Sequence, residues 1–166
     1  MKKIAVLLAA LMLVCTLASC AVISGPEQTH EVFELSITMQ GNFVRQSGGA
    51  YGANVIMSTP SVCVAFYRLE ADTVHNYSAE KDLSPALFAN FYMDKYMLKE
   101  YEIQREDDLV YIETNIDVDG TEYTYFYTFY CGENTYWVVE MSCEADKYEE
   151  ARPEFVKWAN SVTLDQ

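Results

Sequence analysis

The chain is short of the groups that carry chemistry. Its 166 residues include two histidines, His30 and His75, far apart and with no Cys-x-x-Cys pair to accompany them. Zinc sites draw on clusters of such ligands, so no metal is expected. Cys63 has no histidine-bearing motif around it, which leaves it a small core residue rather than a nucleophile. Lys and Arg number 11 against 25 Asp and Glu, for a net charge of −14. Such a chain has no basic patch with which to hold phosphate backbones, so nucleic acid is excluded and adhesion to anionic lipid by charge is disfavoured. Of the 7 glycines, Gly48, Gly49 and Gly52 fall close together. No Lys-Ser/Thr pair follows them and a strand comes next, so they mark a hairpin loop and not a phosphate cradle. Asp117, Asp119 and Glu122 flank Gly120 without the further ligands and terminal Glu of a calcium loop. No cofactor motif is present, and no pair of carboxylates is singled out for hydrolysis. The expectation is a protein with no catalytic residues.

What is present begins with a leader. Met1-Lys2-Lys3 is a positive n-region, and Ile4 to Val14 is an apolar run too short to span a bilayer comfortably. It leads into Leu17-Ala18-Ser19-Cys20, which resembles a bacterial lipobox. The resemblance implies that residues 1–19 are a signal peptide removed before Cys20, whose thiol receives a diacylglycerol. An ordinary secretory signal cut nearby and an uncleaved membrane anchor are the other readings. Each buried CH₂ contributes about 0.8 kcal/mol, so two or three palmitate-like chains anchor stably where one would not. Loss of Lys2 and Lys3 takes the net charge from −14 to −16. Residues 20–31 read as a lipidated tether of loop formers, Ser24 through Thr29, leaving 32–166 as one domain.

The stretch from Leu109 to Cys143 holds three β-rich runs. Asp119-Gly120 readily takes the positive φ angles of a type I′ hairpin. With those two residues central, Val118 faces Thr121, Ile116 faces Tyr123 and Ile112 faces Tyr127. Alternation then puts Val110, Ile112, Thr114, Ile116 and Val118 on one face with Tyr123, Tyr125, Tyr127 and Phe129. For the third run two registers are open. A two-residue turn at Glu133-Asn134 sets Trp137, Val139, Met141 and Cys143 opposite Thr124, Phe126 and Thr128. An odd loop centred on Asn134 pairs Cys131 with Trp137 and Phe129 with Val139, keeping one apolar face across all three strands. The odd loop is the expected one. It places Cys131 and Cys143 about 20 Å apart along a strand, too far for a disulfide.

Upstream, Val32 to Met39 reads as a first strand with Phe33, Leu35, Ile37 and Met39 on one face. Ala53 to Met57 and Val62 to Leu69 are two more, with His75 in the loop beyond. Leu83 to Tyr101 reads as a helix, with Ser84 as N-cap, Pro85 at its first position and a wide apolar stripe through Phe88, Phe91 and Tyr92. After the acidic stretch Glu144 to Glu150, Pro153 to Ser161 reads as a final helix with Phe155, Trp158 and Ala159 inward, and Thr163-Leu164 is extended. This makes an α+β domain, a single antiparallel sheet packed with two main helices.

The element order and the closing segment Trp158-Ala159-Asn160-Ser161-Val162 resemble the PsbP-like fold. That family includes the photosystem extrinsic subunit, a Ran-binding protein of nuclear transport and small bacterial lipoproteins of the DcrB type. The resemblance implies a binding or assembly role and supplies no catalytic residue. In the expected register Leu109, Tyr111, Tyr130, Tyr136 and Val138 gather near one end of the second sheet face. Either a helix covers them, or they form a Tyr-rich patch with an acidic rim suited to an envelope protein or glycan. The leading expectation is a non-enzymatic lipoprotein, held outside the cytoplasmic membrane by Cys20, that binds or scaffolds envelope components. Capture of a small ligand or cation is the second, and an envelope hydrolase the third.

Overall fold

The chain turns back on itself almost entirely through antiparallel pairing. The computed structural model describes residues 23, 25–47, 52–75, 83–96 and 101–165; the leader and Cys20 lie outside them, as do residues 48–51 of the glycine-bearing loop. Seven strands form the main sheet: β3 (Val44–Ser47), β4 (Val55–Ser58), β5 (Val62–Glu70), β6 (Gln104–Glu106), β7 (Leu109–Val118), β8 (Thr121–Cys131) and β9 (Thr135–Glu144). Their order across the sheet is β3-β4-β5-β9-β8-β7-β6. A second sheet has β2 (Leu35–Gln40) between β1 (Glu27–Val32) and β10 (Thr163–Leu164). The helices are α1 (Ala71–His75), α2 (Pro85–Tyr96) and α3 (Tyr148–Asn160), the last entered through a 3-10 turn at Ala145–Lys147. So the architecture is α+β, with two sheets among the described residues in place of the single one expected and three helices in place of two.

The β7–β8 hairpin has the register read from its Asp-Gly turn: Val118 faces Thr121, Ile116 faces Tyr123 and Ile112 faces Tyr127. Asp119 and Gly120 take φ of 54° and 85°, as a type I′ turn requires. The Asp117 carboxylate accepts the Gly120 N–H at 3.0 Å, which accounts for that acidic residue without a cation.

The third strand departs from expectation. Cys131 faces Tyr136, Tyr130 faces Trp137 and Thr128 faces Val139, so the connection is the two-residue turn at Glu133-Asn134. Gly132 N–H closes it on the Thr135 carbonyl at 2.8 Å. The odd loop would keep all large apolar side chains behind one wall. There is no single wall. Ile112 and Tyr127 face α2, whereas Val139, Trp137 and Met141 face the small sheet and α3. A sheet covered on both faces has no need to choose between its two alternations, and the shorter turn prevails.

Each face has its own core. On one side Phe66, Phe126, Trp137 and Met141 meet Leu35, Ile37 and Met39 of β2 and Phe155 and Trp158 of α3. On the other, Phe88, Tyr92 and Met93 of α2 lie on Ile112, Tyr127, Phe129 and Val138. Helix α2 starts where the sequence placed it: the Leu87 N–H reaches the Ser84 hydroxyl at 3.4 Å, and Pro85 opens the helix.

Two more boundaries move. The expected strand from Val32 is cut by a tight turn at Phe33-Glu34, with Val32 paired to Leu35; Phe33 takes φ of 55° and leaves the face that Leu35, Ile37 and Met39 share. Much of the expected tether is structured, because Glu27–Val32 forms β1. Helix α3 begins five residues before Pro153, which therefore sits inside it. The missing N–H of Pro153 leaves the Glu149 carbonyl without its helical donor; both residues are exposed, where water can serve instead.

A sheet with two cores makes a direct prediction. Phe126→Ala and Phe129→Ala, adjacent in space on β8 but on opposite faces, should each cost about 3–5 kcal/mol in urea unfolding. A cost below about 1 kcal/mol for either would show that its face is not load-carrying core.

Candidate functional site

The side chains proposed as a patch from sequence do not share a surface. Leu109, Tyr111 and Tyr130 belong to the face under α3, and Tyr136 and Val138 to the face under α2. The one-residue change of register separates them, since it sends β9 side chains to the opposite side. Leu109, Tyr111, Tyr136 and Val138 are buried. The phenols are committed internally: Tyr130 donates to the Ala159 carbonyl at 2.8 Å, Tyr111 accepts from Arg152 at 2.9 Å, and Tyr136 meets His75 Nε2 at 3.1 Å. A covering helix, not an exposed patch, is what this part of the chain has.

What the turn at Glu133-Asn134 does build is a cleft of about 760 Å³ at that end of the sheet. Its walls come from six separate segments: Glu34 of the β1–β2 turn, Arg68 of β5, Pro85 at the start of α2, Asp108 and Leu109 at the start of β7, Tyr130 to Thr135 around the β8–β9 turn, and Leu164-Asp165 at the end of β10. Leu109 and Tyr130 thus reach a site after all, as parts of its floor rather than of a flat patch. Acidic groups outnumber Arg68, and apolar side chains lie between them, so the cleft is amphipathic and negatively biased.

Glu34 is its most constrained group. Its carboxylate accepts from Arg68 Nε at 2.9 Å and from Trp137 Nε1 at 3.2 Å. Burial on its own would raise the Glu34 pKa, but its own backbone N–H, Thr135, Arg68 and Trp137 together hold it below the usual carboxylate range. Immediately before it, Phe33 is 63% exposed and leans its ring toward Trp137, centroids 6.2 Å apart. A bulky residue at positive φ is an uncommon conformation costing about 1–2 kcal/mol, and here the bonds to Glu34 hold it in place. Neither Phe33 nor Glu34 gives a turn signal in the sequence, and Arg68 is distant in the chain, so composition offered no route to this group.

A second chemical feature lies under α2. Glu140 receives a hydrogen bond from the Tyr67 hydroxyl at 3.1 Å and another from Tyr127. Burial raises the Glu140 carboxyl above its ordinary value, and those two hydrogen bonds only partly oppose it. The neighbouring Tyr67, Tyr92 and Tyr127 phenols are raised as well, first by burial and then by the Glu140 charge. Cys63 is raised by the same two causes, and burial pushes Cys131 to about 12 and Cys143 to about 11. None of the three is disposed to be a thiolate at neutral pH. On the far face Arg152 gathers Glu113 (2.8 Å) and Glu106 (3.3 Å), while Tyr148 donates to Glu113 at 2.6 Å. Among the described residues no group of three or more His, Cys, Asp and Glu is placed to hold a metal ion.

Comparison with solved structures places this architecture. The solution structure of cyanobacterial PsbP (CyanoP) from Synechocystis sp. PCC 6803 superposes with a TM-score of 0.57, at 12% identity, over 87% of this chain and 96% of that one. The fold is PsbP-like. A crystal structure from Bacteroides thetaiotaomicron VPI-5482 matches with a TM-score of 0.54 at 9% identity, covering 86% of this chain and 49% of that one. No family model and no curated protein sequence matches. At these identities the PsbP-like likeness is one of fold. No helix among the described residues is long and apolar enough to cross a membrane.

The half-buried Glu140 carboxyl gives a pH-dependent expectation. A carboxyl whose folded pKa is raised lowers stability once pH passes its unfolded value, and does so fully above its folded value. Glu140→Gln keeps an acceptor for Tyr67 and has no charge to bury. It should raise Tm at pH 8, with the gain vanishing as pH falls below the ordinary carboxylate value. A variant less stable than the parent at pH 8, or a gain that persists at pH 4, would contradict the assignment.

Proposed function

We propose that this is a non-enzymatic lipoprotein, anchored by lipid on Cys20 outside the cytoplasmic membrane, that binds another envelope component through the cleft at the β8–β9 end of the sheet. The anchoring half of this reading comes from the leader and its Leu-Ala-Ser-Cys close. The binding half is carried by the Phe33-Glu34 turn: an exposed aromatic ring, held in a costly backbone conformation next to Glu34, which lines an amphipathic cleft. Nothing in the packing of the core requires Phe33 to be aromatic, since most of its surface meets water. Large aromatic side chains fixed at the margin of a concavity are the groups that anchor protein interfaces. Strain retained at such a position is a reason to look for a function there.

The cleft volume also falls in the range of small-molecule sites, about 300–1,000 Å³. That keeps capture of a small ligand as a second reading, one in which the acidic lining favours a cationic or amide-bearing molecule.

Phe33→Gly separates fold from recognition. Glycine accepts positive φ without penalty, so unfolding free energy should stay within about 1 kcal/mol of the parent. With a photo-crosslinking residue in place of exposed Glu133, the parent should give a discrete protein adduct in intact cells, and Phe33→Gly should abolish it. No adduct with protein from that position, or one that Phe33→Gly leaves intact, would defeat the envelope-protein reading. Full retention of binding with loss of stability would make Phe33 a structural residue only.

A further inference from the structure

The short tether expected over residues 20–31 holds the domain close to the membrane, and the structure shortens it further. Strand β1 takes up Glu27–Val32, the Pro26 carbonyl accepts the Gly41 N–H at 2.8 Å, and Ile23 packs against the core between the small sheet and α3. Only Ala21 and Val22 separate Ile23 from Cys20. Three peptide links reach at most about 11 Å, against about 40 Å for twelve residues fully extended. A lipid on Cys20 fixes that residue at the boundary of the hydrocarbon, and the headgroup layer beyond it is only about 5–8 Å thick. Ile23, and the body it is packed into, must then sit at the outer limit of the headgroups.

We infer that the domain rides directly on the membrane surface, with the corner formed by Pro26, Gly41, Asn42 and Val44 against the lipid headgroups and the cleft directed away from them. The inference rests on lipidation of Cys20. The corner is set by where the chain enters: Glu27 pairs with Gln40 at the open end of the β1–β2 hairpin, and Gly41-Asn42 turns directly into β3. Val44 on that edge strand is 64% exposed, an apolar side chain at the surface the short tether draws toward lipid. Lys157 lies near the point of entry, paired with Glu27 and Glu154.

The opposite end of the same hairpin is the Phe33-Glu34 turn. Six residues of strand at about 3.3 Å each put that turn about 20 Å from the point of entry. Glu34 lines the cleft, so the geometry that lowers the corner onto the bilayer lifts the cleft off it. Such a mount would present the cleft to a partner in the surrounding compartment, not to one lying within the headgroups.

The test uses the full lipidated chain in phosphatidylcholine vesicles carrying an energy acceptor on a fraction of the headgroups. A fluorescent amino acid at Asn42 should be quenched several-fold more strongly than one at Glu133. Inserting twenty Gly and Ser residues between Val22 and Ile23 should weaken the Asn42 quenching and bring the two positions together. Equal quenching with the native tether, or an insertion that changes neither position, overturns the inference while leaving the anchor intact. The anchor is read separately: the mature chain should carry the mass of a diacylglycerol on Cys20 and Cys20→Ala should leave the membrane fraction. An unmodified Cys20 overturns both readings.

Discussion

Everything in this molecule depends on β9 being buried on both sides. It is the central strand of seven, paired to β5 on one flank and β8 on the other, and its side chains alternate between two separate cores. Trp137, Val139 and Met141 look toward α3 and the small sheet, Tyr136 and Val138 toward α2. A fully buried large side chain is worth about 1.5–3 kcal/mol, so a strand that inserts one at nearly every position contributes more than any ion pair on the surface. The two-residue turn at Glu133-Asn134 decides which core each β9 side chain enters. Slipping the strand by one residue would exchange the two sets, forcing the Trp137 indole under α2 and the Glu140 carboxylate against Phe155 and Trp158. That specificity fixes the register more firmly than the turn residues do.

Glu140 shows what a two-sided core costs. Its place in the alternation puts it among Tyr67, Tyr92 and Tyr127, and Tyr67 and Tyr127 make the position tolerable by donating their hydroxyls to it. The same reasoning accounts for part of the unusual tyrosine content. On the α2 face phenols provide aromatic area while their hydroxyls serve a buried acid; on the α3 face Tyr111, Tyr130 and Tyr148 bind a guanidinium, a helix carbonyl and the Glu113 carboxylate. Phenylalanine could fill the space at most of these positions and satisfy none of the polar partners.

The legible parts of the sequence were those with local physical signals. Asp119-Gly120 can hardly be anything but a primed turn, and from it the β7–β8 register followed residue by residue. Ser84-Pro85 announced the start of α2 and the Trp158-Ala159 segment the inward side of α3. Two of the mistakes share one cause, the assumption that apolar residues line a single face. It chose the wrong loop before β9, and with it gathered Leu109, Tyr111, Tyr130, Tyr136 and Val138 into a patch that the fold divides. Strand β6 and the cleft were invisible for a different reason. The cleft is made where six distant segments meet, and Phe33-Glu34, which holds its most constrained group, turns without any of the residues that usually permit turning.

The Phe33-Glu34 turn also decides how the cleft keeps its shape. Arg68 and Glu34 each retain about a quarter of their side-chain surface in water, and an ion pair so placed contributes at most about 1 kcal/mol. This is too little by itself to hold a bulky residue at positive φ. The additional donors from Trp137 and Thr135, and the Asp165 N–H on the Glu34 carbonyl at 2.8 Å, change the balance. Through them the turn is bonded to the main sheet and to the β10 end of the chain at once, so moving Phe33 means releasing several hydrogen bonds together. A ring fixed in this way loses little freedom when a partner covers it, and the entropic cost of ordering it has already been met by folding.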